Sequence, residues 1–287
     1  MITKKSNSGS IDNIESDVKR TGQKVAFNPL MEPMARLGYG VRGLIYIILG
    51  VLATLLAFGK SGGAADQQGA IEAIGIQPAG MFMLWIVLIG LISYSFWGLV
   101  RALFDPLHKG HDKKGLLTRA GFLLSGIGYA YLAYTTYRFI VHGGGNTQTQ
   151  QQSFASIMTT TWGPWVIFII GLIVIAIGLY QMYQGFNSSF DKQFKTYVMT
   201  TEEIKLTTQL GRFGTAARGL VFALVGGLMV LGASQSNSSQ PQGIDAALTS
   251  LLRLPYGVWV LGLVALGLIA FGIYSMLCAF WFRLRKS

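Results

Sequence analysis

Two groups of side chains have the type and spacing to do chemistry. The first is a set of arginines. Arg36, Arg119 and Arg212 each precede a glycine at +2, a glycine at +7 and an aromatic residue at +10, and Arg42 and Arg218 lie six residues beyond the first and third. A guanidinium presents a planar fork of donors that fits phosphate and carboxylate, so a gathering of such groups would hold an anion. The second group is His108 and His111 around Lys109-Gly110, with Asp105 and Asp112 nearby. Two histidines at that spacing can ligate a metal, but the neighbouring lysines oppose a cation, and a solvated basic loop without metal is the expectation. The single cysteine, Cys278, lies in an apolar run and excludes an intramolecular disulfide or a multi-cysteine metal site. Phosphate-loop, His-Glu-x-x-His and Gly-x-Ser-x-Gly patterns are absent, so neither an enzyme nor a resident cofactor is expected.

Composition says what must position these groups. The 287 residues are 51% hydrophobic and 12% charged, with a mean hydropathy of +0.46. That charged fraction is about half the ordinary value for a soluble domain. A spanning helix needs roughly 20 apolar residues, and six stretches qualify, near 40–58, 80–103, 121–141, 163–186, 214–233 and 257–282. The expected fold is therefore an all-α integral membrane protein with six transmembrane helices.

Orientation follows from the cations. Of 23 Lys and Arg, 20 fall before or within the first turns of odd spans or after even ones, leaving Lys60, Arg138 and Arg253 on the other side. This is the positive-inside pattern with both termini cytoplasmic. The net charge of +11 thus serves topology and the anionic leaflet, and nucleic-acid binding is not expected. Residues 1–32 read as a cytoplasmic tail, in which Ile11, Ile14 and Val18 could line one face of a short surface helix.

Internal repetition organises the rest. Besides the arginine motif, Gly80, Gly163 and Gly257 are followed at +15 by Ser95, Gly178 and Gly272, and at +17 by Trp97, Tyr180 and Tyr274. The chain divides into three two-span units, 33–106, 116–190 and 209–284. Each has a short amphipathic stretch between its spans: Ile71 and Ile74; Phe154, Ile157 and Met158; Ile244, Leu248, Leu251 and Leu252. These read as interfacial helices on the outer membrane surface. Pro78, Pro164 and Pro255 suit the start of the span that follows.

With these motifs the chain resembles an uncharacterised family of three-repeat, six-span bacterial membrane proteins, domain of unknown function 1206. The resemblance covers 35–283 and implies a place in the bacterial inner membrane. It brings no activity or functional residue to transfer. Ser125 departs from the pattern by standing where the other units carry Arg42 and Arg218.

Units with an even number of spans share one orientation, which suits a pseudo-threefold arrangement about the membrane normal. Gly38, Gly43 and Gly50, Gly121 and Gly126, and Gly214, Gly219 and Gly226 would let helices pack closely. Arg36, Arg119 and Arg212 at span ends ordinarily snorkel to the headgroups. Threefold symmetry would instead gather them into a basic ring, with Arg42 and Arg218 deeper, able to bind acidic phospholipid or a small anion. Tyr129, Tyr131, Tyr134 and Tyr137, with Gln181 and Gln184, read as packing or belt residues, the alternative being the lining of a pigment pocket. No carboxylate lies inside a span, which disfavours a proton-coupled pump.

Two functions follow as expectations. The first is a structural or accessory subunit packing against lipid or a larger inner-membrane complex. The alternative is a small-anion or lipid carrier or channel on the pseudo-threefold axis. Mitochondrial carriers share the layout of three two-span units, but their Pro-x-Asp/Glu-x-x-Lys/Arg signature is missing here.

Overall fold

The computed structural model describes residues 29–60, 63–105, 110, 112–142, 156–187, 200–235 and 243–281. Ile11, Ile14, Val18, His108, His111, Phe154 and the terminal Arg283, Arg285 and Lys286 lie outside the described residues. The described chain contains no strand. Its helices are α1 (Met31–Ala57), α2 (Gln67–Gly75), α3 (Gly80–Phe104), α4 (Lys113–His142), α5 (Gly163–Asn187), α6 (Thr201–Ser234), α7 (Ile244–Leu251) and α8 (Gly257–Trp281).

Five of these, α1, α3, α5, α6 and α8, are long and apolar enough to cross a membrane. The third expected span lies inside α4, a 30-residue helix. Its Tyr, Thr and Arg residues leave it less apolar than the other five. Helices α1 and α6 begin well before the apolar stretches read from the sequence. At α6 the reason is a capping box: the Thr200 hydroxyl accepts from the Glu203 N–H (3.3 Å), and the Glu203 carboxylate accepts from the Thr200 N–H (2.7 Å). A Thr-x-x-Glu pair starts a helix wherever it falls, and the polar turns that follow need no bilayer to stay helical.

The short helices differ from the interfacial expectation. Ala70, Ile71 and Ile74 of α2, and Ala247, Leu248 and Leu251 of α7, are buried in protein. Helix α2 packs on α1, α3 and α4, and α7 packs on α6 and α8. In the second unit a single turn at 156–158 stands in their place, with Met158 buried. Every one of these segments presses a carbonyl onto the glycine that opens the next long helix. A Cβ at Gly80, Gly163 or Gly257 would collide with the carbonyl oxygen of Ile74, Ile157 or Leu251, which explains a glycine at all three positions.

Long helices meet in a cyclic order: α3 on α4, α5 on α6 and α8 on α1. Each contact uses the same pair of repeat positions. Gly43 meets Gly272 and Gly219 meets Gly178, with a Cβ on Gly43 falling 2.7 Å from the Gly272 carbonyl oxygen and one on Gly219 falling 2.6 Å from that of Gly178. At the third contact Ser95 replaces the glycine and donates its hydroxyl to the Gly126 carbonyl at 2.8 Å. One level further along, Gly50 lies on the backbone of Ala265 and Gly226 on that of Gly171.

Contacts within a unit are less uniform. Helix α1 packs on α3, with Gly38 against the Tyr94 backbone and Val41 against Gly90. Helix α6 packs on α8 through the equivalent residues, Gly214 against Phe271 and Ala217 against Gly267. Helices α4 and α5 stand apart along most of their length, although the Thr118 and Tyr180 hydroxyls are hydrogen-bonded at 3.0 Å. Gly121, the counterpart of Gly38 and Gly214, has no neighbour within 4 Å of its Cβ direction. The principal apolar core accordingly centres on α1, α3 and α8.

Candidate anion site built on buried arginines

Arg42 sits two to three turns into α1 and is 6% exposed. Its Nε donates to the Ser275 hydroxyl at 3.1 Å, and its Nη1 donates to the Tyr94 hydroxyl. Ser275 in turn donates to the Phe271 carbonyl at 2.8 Å. The guanidinium is surrounded by the rings of Tyr39, Tyr94 and Phe271, each 4.9 Å away. It is thus held from three helices, α1, α3 and α8.

Arg101 reaches the same place from the last turn of α3 and is 5% exposed. Its Nη1 donates to the Tyr39 hydroxyl at 3.2 Å, and its guanidinium lies 5.4 Å from the Tyr94 ring and 4.4 Å from Phe122 of α4. Its Nε and Nη2 are buried and have no hydrogen-bond partner. Arg218 of α6 completes the group, 4.8 Å from the Phe222 ring and 5.1 Å from Phe271, with its Nε also buried and unpartnered. The Tyr129 hydroxyl of α4 and the Gln181 Oε1 of α5 share that condition.

Shared rings tie the three cations together. Arg42 and Arg101 both lie over Tyr94, and Arg42 and Arg218 both lie over Phe271. Each of these pairs is therefore within roughly 10 Å, where like charges repel by about 1.5–2 kcal/mol at an effective dielectric near 20. Aromatic faces return up to about 2 kcal/mol for each desolvated cation, but a quadrupole cancels no charge. Among the described residues none of the three arginines has a carboxylate partner. Buried charges are ordinarily paired; here Arg42 and Arg101 are buried, Arg218 is half-buried, and Arg101 and Arg218 keep buried donors without an acceptor.

The other arginines singled out by spacing are engaged separately. Arg36 forms an i,i+4 ion pair with Glu32 at 2.9 Å. Arg119 donates to the carbonyls of Ala102 (2.8 Å) and Leu103 (2.9 Å), satisfying the C-terminal end of α3. Arg212 is exposed. Arg101 escaped the motif-based reading because it has no arginine at the equivalent place in the other units, where Gln184 and Cys278 stand. Its signal was position: a cation in the last turn of an apolar helix faces either headgroups or the bundle. Tyr129 turns inward, with its ring 4.5 Å from that of Tyr94, whereas Tyr131, Tyr134 and Tyr137 are exposed. No group of three or more His, Cys, Asp or Glu capable of holding a metal occurs among the described residues.

Residues 37–105, 120–188 and 213–281 each match the family described as Domain of Unknown Function (DUF1206). The chain belongs to the DUF1206 family. Each matched segment covers most of two of the long helices, and the first and third also contain a buried short helix between them. The chain is also similar to the Uncharacterized protein YxxB of Bacillus subtilis (strain 168), with 32% identity over 249 residues, 87% of this chain and 90% of the relative. No solved structure matches. In DUF1206 terms, Arg42 and Arg218 occupy one repeat position in the first and third segments, and Arg101 closes the first.

Proposed function

We propose that this DUF1206 protein is a six-span protein of the bacterial inner membrane with cytoplasmic termini, and that it binds an anionic group on Arg42, Arg101 and Arg218. The observation that carries the reading is a cluster of two buried guanidiniums, Arg42 and Arg101, and a half-buried third, Arg218, with no carboxylate partner among the described residues. Keeping them charged in a low-dielectric interior is costly unless a counter-charge arrives. An anionic ligand supplies that charge and accepts from the spare Arg101 and Arg218 donors.

Several features support the placement. Helix α4 is long enough to cross beside the five more apolar helices. The recurring contacts through Ser95, Gly178 and Gly272 support a ring of three two-helix units. Trp162, Trp165, Tyr256 and Trp259 are exposed near the starts of α5 and α8, at the end away from most cations, where an aromatic belt meets the outer headgroups. The accessory-subunit reading draws on the apolar outer surface, and a bilayer alone accounts for that surface.

The test uses lipid-stripped protein in neutral detergent, titrated with inorganic phosphate at constant ionic strength while thermal unfolding is followed. Binding at one hundred times the dissociation constant raises stability by about 2.7 kcal/mol. Arg101→Gln and Arg218→Gln should each reduce the shift. A phosphate response that is absent in the wild type, or undiminished in both variants, sinks the reading.

A further inference from the structure

We infer that the anion is the phosphate headgroup of an anionic glycerophospholipid, which reaches the arginines from the side, between α4 and α5, and leaves an acyl chain in that cleft. This rests on the anion-binding reading above and specifies its ligand and route.

The cleft arises from particular side chains. In the first unit Val41 sits on Gly90, and in the third Ala217 sits on Gly267. The equivalent pair in the second unit is Leu124 and Ile173, two large residues that are 43% and 45% exposed. No small residue lets the helices close. Gly121 and Gly128, on the same face of α4 as Leu124, have nothing within 4 Å of their Cβ directions, whereas their counterparts Gly38, Ile45, Gly214 and Val221 are buried in helix contacts. The cleft wall is thus made of Gly, Leu and Ile, which suits a hydrocarbon chain and gives a free inorganic ion nothing to bind.

A second observation concerns the helices that bound it. The unpartnered buried atoms of Arg101, Tyr129, Gln181 and Arg218 lie on α3, α4, α5 and α6, the two helices that part and the one flanking each. Arg42 of α1 is by contrast held by Tyr94 of α3 and Ser275 of α8. The same asymmetry shows by repeat position. Arg42 and Ser275 are bonded, while Arg218 Nε and Gln181 Oε1, at the equivalent places, are both unpartnered. Unsatisfied buried polar atoms, the Arg101 and Arg218 donors among them, therefore belong to the helices that bound the opening. Ser125, the small substitute for the third arginine, lies between Gly121 and Gly128 at that depth. A single molecule with a phosphate and an acyl chain satisfies both features, and the Thr118–Tyr180 hydrogen bond closes the cleft at one end.

The experiment compares binding of phosphatidylglycerol, phosphatidylcholine and inorganic phosphate to lipid-stripped full-length protein, using native mass spectrometry for the lipids and thermal shift for phosphate. Three variants are used: Gly121→Leu/Gly128→Leu, which fills the cleft; Leu124→Trp, which fills it by another route; and Arg101→Gln/Arg218→Gln. The wild type should retain phosphatidylglycerol at least tenfold better than phosphatidylcholine. Both cleft variants should lose that preference by about tenfold while keeping the phosphate response. The arginine variant should lose both. If the two cleft variants hold phosphatidylglycerol like the wild type, or if the wild type responds to phosphate but shows no lipid preference, the lipid route is overturned and anion binding stands. A wild type that binds neither overturns both.

Discussion

Gly43 and Gly272 touch through their backbones: a Cβ on either would lie 2.7 Å from the carbonyl oxygen of the other. This contact joins the first long helix to the last. Its energy comes from close van der Waals packing along two smooth helix faces, the main attraction between helices in a bilayer.

Gly43→Leu and Gly272→Leu are accordingly expected to destabilise by about 1–3 kcal/mol or more, the usual cost of overpacking a tight contact. Gly121→Leu, at another of the repeat glycines, should be neutral or stabilising by up to about 1 kcal/mol, because its side chain meets open space and leucine favours the helix. Thermal unfolding in detergent measures all three. Equal losses at Gly43 and Gly121 would contradict the open seam.

Tyr94→Phe keeps the ring beside Arg42 but removes the hydroxyl that accepts from it. A hydrogen bond to a charged group is worth about 1.5–3 kcal/mol, so a loss in that range is expected from unfolding curves. Ser275→Ala should cost less, since the Arg42 Nη1 contact survives it. The double variant should lose more than the two single losses combined, by leaving Arg42 without a hydroxyl partner.

Asp66 caps α2 by accepting from the Gly69 N–H at 2.7 Å. Burial pushes its carboxyl above the usual range, and the nearby Asp245 carboxylate adds to the effect, while the Gly69 and Gln68 N–H groups oppose it. A raised folded-state value means the protonated form is favoured on folding. That contribution is complete below the ordinary aspartate range and is lost as pH rises through the raised value. Asp66→Asn keeps an acceptor for Gly69 without the charge. It should flatten this part of the acid-to-neutral stability profile, as measured by unfolding between about pH 3 and pH 7. An unchanged slope would show that the buried carboxyl is not the source.

Cross-linking reads the seam directly. In a Cys278→Ser background, Ala217→Cys/Gly267→Cys brings two thiols together after a small displacement, and should oxidise readily. Leu124→Cys/Ile173→Cys, at the same repeat positions in the second unit, should form its disulfide at least tenfold more slowly, because bridging requires Cβ atoms about 3.5–4.5 Å apart. Comparable rates on a denaturing gel would mean that α4 and α5 close in the membrane.

Much of this was legible in residue spacing. The glycines at +2 and +7 after Arg36 and Arg212, and the Gly80, Gly163 and Gly257 that open the closing helices, mark positions where only a missing side chain fits, whereas Gly121 faces open space. Such demands are local and recur with the repeat. The starts of α1 and α6 were read too late because hydropathy marks the lipid-facing part of a helix, whereas the Thr200 and Glu203 pair sets where one begins. The apolar faces of α2 and α7 pack on the long helices and not on lipid for a related reason. An amphipathic stripe requires an apolar neighbour but does not say whether that neighbour is lipid or protein.

The arginines separate sequence from tertiary structure most clearly. By itself the sequence determined the repeat, the long apolar helices and the set of candidate cations, since these depend on residue type and period along the chain. Only the tertiary structure decided that Arg101 joins Arg42 and Arg218, that Arg36 and Arg119 are engaged by Glu32 and by the end of α3, and that the second unit stays open. Those outcomes depend on which helix faces meet and how far each side chain reaches: a long flexible guanidinium follows its nearest acceptors and rings, and the second unit carries the large, exposed Leu124 and Ile173 where the other units pair a side chain with a glycine.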